Sequence, residues 1–169
     1  MSIGTSKLCH IAILVKDLDK ALKNWEQLLG VKAGEPFYLP PAGEVPSFTN
    51  GEIGDYTDCR LAVIKLENCV LEFVQPGNKP GPWKDKLDRD GEGVQHLSFI
   101  VPDRKKAQET LKAIGAPPAY HIGYWPGGTY SFTDSVPQLG VEINIKTDDD
   151  NTVIKESLLK DPDFHKKDL

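Results

Sequence analysis

The chain has few cysteines, no long apolar run and no excess of positive charge. Its three cysteines, Cys9, Cys59 and Cys69, are odd in number and lack CxxC spacing. That pattern excludes a disulfide framework and a thiolate zinc knuckle, and it predicts reduced thiols in a cytoplasmic protein. No apolar stretch approaches the ~20 residues of a membrane span. No basic start leads into a short apolar segment, so no secretory signal is expected. Lys and Arg number 20 against 25 Asp and Glu, a formal net charge of -5. With its basic residues scattered, the chain is expected to bind neither nucleic acid nor membrane. Gly127-Gly128, between Pro126 and a strand pattern, reads as a hairpin turn, not a phosphate cradle.

What the sequence does contain is a doubled pattern. His10-Ile11-Ala12-Ile13-Leu14-Val15-Lys16-Asp17 returns as His96-Leu97-Ser98-Phe99-Ile100-Val101-Pro102-Asp103. Lys20-Ala21 returns as Lys106-Ala107, and each copy then runs through a helical pattern to Gly30 or Gly115. Leu71-Glu72-Phe73-Val74 aligns with Val141-Glu142-Ile143-Asn144. The first half carries the longer connection, a Pro- and Gly-rich loop over 35–59 without clear period.

The periodicity predicts strands over 7–15, 60–66, 70–74, 94–101, 119–122, 128–133 and 141–145. A short strand is expected within 31–37. Helices are expected after Asp17 or Asp19, over 83–87 and after Asp103, with aspartate caps on the first and third. Gly30 suits a left-handed helix end. A last helix is expected over 152–160. The fold class that follows is α+β, two paired βαβββ modules whose curved mixed sheets form a metal-binding cleft. The first module spans 1–76, a linker with a short helix 77–93, the second module 94–146, and a C-terminal helix and tail 147–169.

Each half opens with a histidine in an apolar strand and closes with a glutamate in another. Alternate residues of a strand share a face, so His10, Ala12 and Leu14 lie together, as do His96, Ser98 and Ile100. Small Ala12 and Ser98 leave space above the sheet. A carboxylate between apolar neighbours is costly to bury alone, and a divalent cation offsets that cost. His10, Glu72, His96 and Glu142 are therefore the candidate metal ligands, a set suited to Zn, Ni, Co, Mn or Fe. Cys9, next to His10, is expected on the opposite face.

The aromatic residues Tyr120, Trp125, Tyr130 and Phe48 are candidates for contact with a small-molecule substrate. His121 has no repeat partner and reads as structural or exposed. Lys84-Asp85-Lys86 reads as solvated surface, with Lys84 and Lys86 also candidates for contact with a phosphate group.

Residues 7–146 resemble the vicinal-oxygen-chelate superfamily, which includes glyoxalase I, methylmalonyl-CoA epimerases, extradiol dioxygenases and drug-binding resistance proteins. Lys65-Leu66-Glu67-Asn68 leading to Leu71-Glu72-Phe73-Val74-Gln75-Pro76 is most similar to the epimerase group. So is the run from Trp83 to Gly93 entering Val94-Gln95-His96-Leu97-Ser98-Phe99. The resemblance implies one divalent metal held by His10, Glu72, His96 and Glu142, and a homodimer. The epimerases commonly have glutamine where this chain has Glu72, and often a second histidine where it has Gln95. The activity implied is proton transfer next to a carbonyl of a small acyl thioester, with Glu142 and then Glu72 as candidate base. The alternatives are a lactoylglutathione lyase of the glyoxalase I type and a metal-free drug- or metabolite-binding protein. A ring-cleaving dioxygenase is disfavoured, because four ligands leave too few open positions.

Overall fold

The computed structural model describes residues 2–148, so the helix expected over 152–160 lies outside the described residues. The first half runs β1 (Leu8–Leu14), α1 (Leu18–Leu29), β2 (Phe37–Tyr38), β3 (Ser47–Thr49), β4 (Glu52–Ile53), β5 (Arg60–Lys65) and β6 (Val70–Gln75). A connecting helix, α2 (Pro82–Asp90), leads to β7 (Gly93–Ile100), α3 (Arg104–Ala113), β8 (His121–Trp125) and β9 (Gly128–Thr133). One helical turn, α4 (Val136–Leu139), then precedes β10 (Glu142–Thr147). Residues 31–36 are not a strand; pairing there begins only at Phe37.

Local chemistry explains the helix ends. Asp17 caps α1 by accepting from the Lys20 amide, and Asp103 does the same for α3 with Lys106. Each satisfies a free donor of the first turn. Asp19 instead pairs with Arg60. Gly30 ends α1 at φ 68°, the left-handed conformation a Cβ disfavours.

The ten strands form one mixed sheet in the order β2-β5-β6-β1-β7-β10-β9-β8-β3-β4, curled into a half-barrel. β1 and β7 pair antiparallel at its centre. Each is flanked by the closing strand of its own half, β6 or β10, running parallel to it. An approximate two-fold axis between β1 and β7 thus relates the halves, and the fold is the α+β pair of βαβββ units read from the repeat.

The two faces of the sheet have different covers. Leu71 and Phe73 point outward, where Leu18, Leu22 and Trp25 of α1 pack on them. In the second half Ile143 and Ile145 meet Ala107 and Leu111 of α3. The concave face is filled at one end by α2, whose Trp83 and Leu87 join Leu14, Leu61, Val74 and Phe132.

The 35–59 segment is more ordered than its composition suggested. It holds β2 and the β3–β4 hairpin, and that hairpin bonds to β8 of the other half. The segment is therefore a strap from one edge of the half-barrel to the other. Thr49 Oγ1 lies 2.7 Å from His121 Nδ1, and Ser47 Oγ lies 3.2 Å from Tyr130 Oη. Phe48 packs edge-on against Tyr124.

Candidate metal centre

Two twin bulges aim the histidines. The β1–β7 register passes from Leu8↔Phe99 to His10↔Ser98, so Cys9 is an extra residue. It passes again from Ala12↔His96 to Ile13↔Val94, so Gln95 is extra on the other strand. A bulge interrupts strict alternation and redirects the neighbouring side chains. Cys9 accordingly does not sit on the opposite face from His10: its Sγ is 3.8 Å from His10 Nδ1. Gln95, fully buried, places its Oε1 3.2 Å from His96 Nδ1.

Across the sheet the registers define two rows on the concave face. One reads Glu72–Ala12–His96–Glu142, the other Val70–His10–Ser98–Asn144. Glu72 and His96 flank Ala12, whose small side chain lets them lean together. His10 Nε2 lies 2.9 Å from His96 Nε2 and 3.8 Å from Glu72 Oε1. His10, His96 and Glu72 are the one His/Cys/Asp/Glu group with metal-ligand spacing among the described residues. The triad is built within one chain.

The donor set fits a divalent ion. Burial holds both imidazoles below their ordinary pKa, His96 far below; Glu72 partly opposes this at His10. Both imidazoles are therefore neutral at neutral pH, each with a lone pair it could offer an ion. A carboxamide oxygen only accepts, so Gln95 keeps the proton on His96 Nδ1 and the lone pair on Nε2. Two nitrogens bound side by side to one ion at about 2.0–2.1 Å stand about 3 Å apart.

The structure does not bring Glu142 to this group. It shares a row with His96, but its carboxylate accepts a 2.8 Å hydrogen bond from Tyr120 Oη and lies 3.3 Å from Lys86 Nζ. Burial raises its pKa, and Tyr120 and Lys86 oppose the rise. The two-fold explains the mismatch. It exchanges the two rows, so Glu72 corresponds to Asn144 and Glu142 corresponds to Val70. Aligning Glu72 with Glu142 is a slip of two residues, and a slip of two preserves the alternation of a strand.

The triad lies against a cavity of about 220 Å³. Trp125 and Tyr130 line it. Tyr120 faces a second cavity with Glu142 instead, and Phe48 is packed inside the strap. The sequence reading missed Trp83, Phe132, Asn144 and Lys146 as cleft residues. For Asn144 and Lys146 the signal was available in their even spacing from Glu142. Lys86 is buried and paired with Asp90 and Glu142, not solvated, and Lys84 pairs with Asp88. Both ammonium groups thus have carboxylate partners. His121 is fully buried and stacked on Phe132, so its role is structural.

Residues 9–132 match the model of the Glyoxalase/Bleomycin resistance protein/Dioxygenase superfamily, and the chain belongs to it. Among curated relatives, the ethylmalonyl-CoA/methylmalonyl-CoA epimerase of Cereibacter sphaeroides is 28% identical over 111 residues, 65% of this chain and 72% of that one. Bovine mitochondrial methylmalonyl-CoA epimerase is 29% identical over 97 residues, covering 57% of this chain and 47% of the bovine one. This chain thus spans about half the length of the bovine relative. Of the solved structures, methylmalonyl-CoA epimerase from Mycobacterium tuberculosis aligns with TM-score 0.61 at 18% identity, over 91% of this chain and 95% of that one. A hypothetical protein from Bacillus halodurans C-125 gives 0.61 at 19%, over 86% and 96%. At such identities the solved structures establish the fold. No described helix is long and apolar enough to cross a membrane.

Proposed function

We propose that this chain is a divalent-metal-dependent epimerase that moves a proton on the carbon beside a carbonyl, acting on a small acyl thioester of the methylmalonyl-CoA kind. The observation that carries the proposal is the convergence of two neutral imidazoles and one carboxylate at 2.9 and 3.8 Å beside a cavity. The curated epimerase relatives support the choice of reaction.

His10, His96 and Glu72 would hold a divalent ion, which would supply Lewis acidity toward a carbonyl oxygen and make the neighbouring C–H more acidic. Glu72 stands where the epimerase group commonly has glutamine, so a base at this position is this chain's own, and the geometry favours it over Glu142. Its side chain is 22% exposed and lines the cleft, whereas Glu142 is engaged with Tyr120 and Lys86. Glu72 takes the proton through an oxygen not engaged in binding. Inversion is completed when a proton from water, not from Glu72, reaches the opposite face of the planar carbon. Trp83, Tyr130 and Phe132 wall the cleft with rings that limit water. A cavity of about 220 Å³ suits an acyl group, leaving the bulk of a thioester carrier outside.

Two measurements test this. Protein purified without chelator is expected to carry about one transition-metal ion per chain, lost in His96→Ala. In D₂O, methylmalonyl-CoA is expected to exchange its C2 proton, and Glu72→Gln to slow that exchange by a factor of about 10²–10⁴. Metal-loaded protein that leaves C2 unexchanged, yet consumes the hemithioacetal of methylglyoxal and glutathione, would replace the epimerase reading with the lyase. Failure to take up metal would favour a binding protein.

A further inference from the structure

The two-fold that matches Glu72 with Asn144 also matches Val74 with Lys146. Where the first half presents a carboxylate and a valine, the second presents an amide and an ammonium. Both line the cleft with His10, His96 and Glu72. Ser98 Oγ donates to Asn144 Oδ1 at 2.7 Å, which leaves the NH₂ group as what the amide can offer a ligand. Neither that NH₂ nor Lys146 Nζ has a side-chain partner among the described residues. Lys146 is half-buried beside the cleft, near enough to bear on both imidazoles.

A carboxylate at Asn144 would cancel charge on a bound ion and repel an anion. An amide and an ammonium do the reverse, and leave the loaded site with an excess of positive charge. Donors held in place by buried neighbours act on an anion without reorganising. Asn144 is held by Ser98, and both are buried.

We propose that Asn144 and Lys146 form an anion clamp facing the metal triad, and that they select substrates carrying a free carboxylate close to the reacting carbonyl. This deepens the epimerase reading and rests on it for the triad. The clamp itself belongs to this chain's second half, where the first half has a ligand.

Malonate is the probe, because it carries two carboxylates on one carbon; malonamide has the same shape without the charge. Calorimetry on the zinc-loaded full chain should show malonate binding at least about tenfold tighter than malonamide, as charge-assisted hydrogen bonds require. Lys146→Met should remove most of that preference without lowering zinc affinity, and Lys146→Arg should retain it. Asn144→Glu should weaken malonate while tightening zinc by about tenfold, since it adds a fourth ligand, a second carboxylate. If zinc binds but Lys146→Met keeps malonate within about twofold of wild type, the clamp is overturned and the metal site stands. If zinc does not bind and malonate still depends on Lys146, the clamp stands and the metal site fails. If neither zinc nor malonate binds, both are overturned.

Discussion

Single residues decide what the concave face can do. His10 and His96 were legible in the sequence because each repeats inside an apolar strand beside a small residue. Glu72 was reached through its alignment with Glu142, a slip that still picked a residue of the cleft. Asn144 was not, because a two-residue slip leaves the in–out pattern of a strand unchanged and lets Glu142 stand in for it. Cys9 was misplaced because no composition signal marks a bulge. His121, read as structural or exposed, is buried and carries a prediction of its own. Burial holds its pKa at about 3, against an ordinary 6.5. The unfolded imidazole therefore takes a proton below about 6.5 and the folded one does so only near 3. The contribution of this group to stability is full above pH 6.5 and drains as the pH falls toward 3, by up to about 1.4 kcal/mol per unit. Urea unfolding at pH 7 and pH 4.5 should show His121→Gln losing less stability on acidification than wild type. Equal losses would mean that His121 does not titrate differently on unfolding.

Elements position those residues, and the strap is the one the sequence concealed. Its strands are two and three residues long, too short for any periodicity to register. Their partner, β8, lies in the other half of the chain. By contrast α1 and α3 were plain, since an aspartate cap and an apolar stripe agree in each. Phe48 is the strap's anchor, 4% exposed and set against Tyr124. Phe48→Ala is expected to cost about 3–5 kcal/mol, as large-to-small aromatic changes in cores do, read as a lower urea midpoint. At low temperature the folded variant should still take up metal, because Phe48 does not line the cleft. A loss of metal uptake by folded protein would show that the strap shapes the triad.

At the scale of the molecule, the halves share a backbone ladder at the centre and a strap at the rim. β1 and β7 bond directly, and β3 bonds to β8. Neither half closes its own face of the cleft. Unfolding is expected as one transition. The three tryptophans make this measurable, with Trp25 in the first half and Trp125 in the second. Single-tryptophan variants retaining one or the other should share a urea midpoint with far-UV circular dichroism. Two separated midpoints would mean the halves fold as independent domains. The repeat made this architecture legible, since two strand–helix–strand units with matching histidines have few ways to bring those histidines together.

The strap has a consequence for synthesis. Thr49 and its partner His121 are 72 residues apart. At roughly 5–20 residues per second, a ribosome leaves β3 and β4 without their sheet for about 4–14 seconds. During that interval Phe48, buried in the fold, is an apolar group on a nascent chain with nothing to cover it. Pro40, Pro41 and Pro46 precede it and Gly51 and Gly54 follow it. Residues of these kinds resist premature strand pairing, so the composition that made this segment look like a plain loop also guards it until its partner emerges.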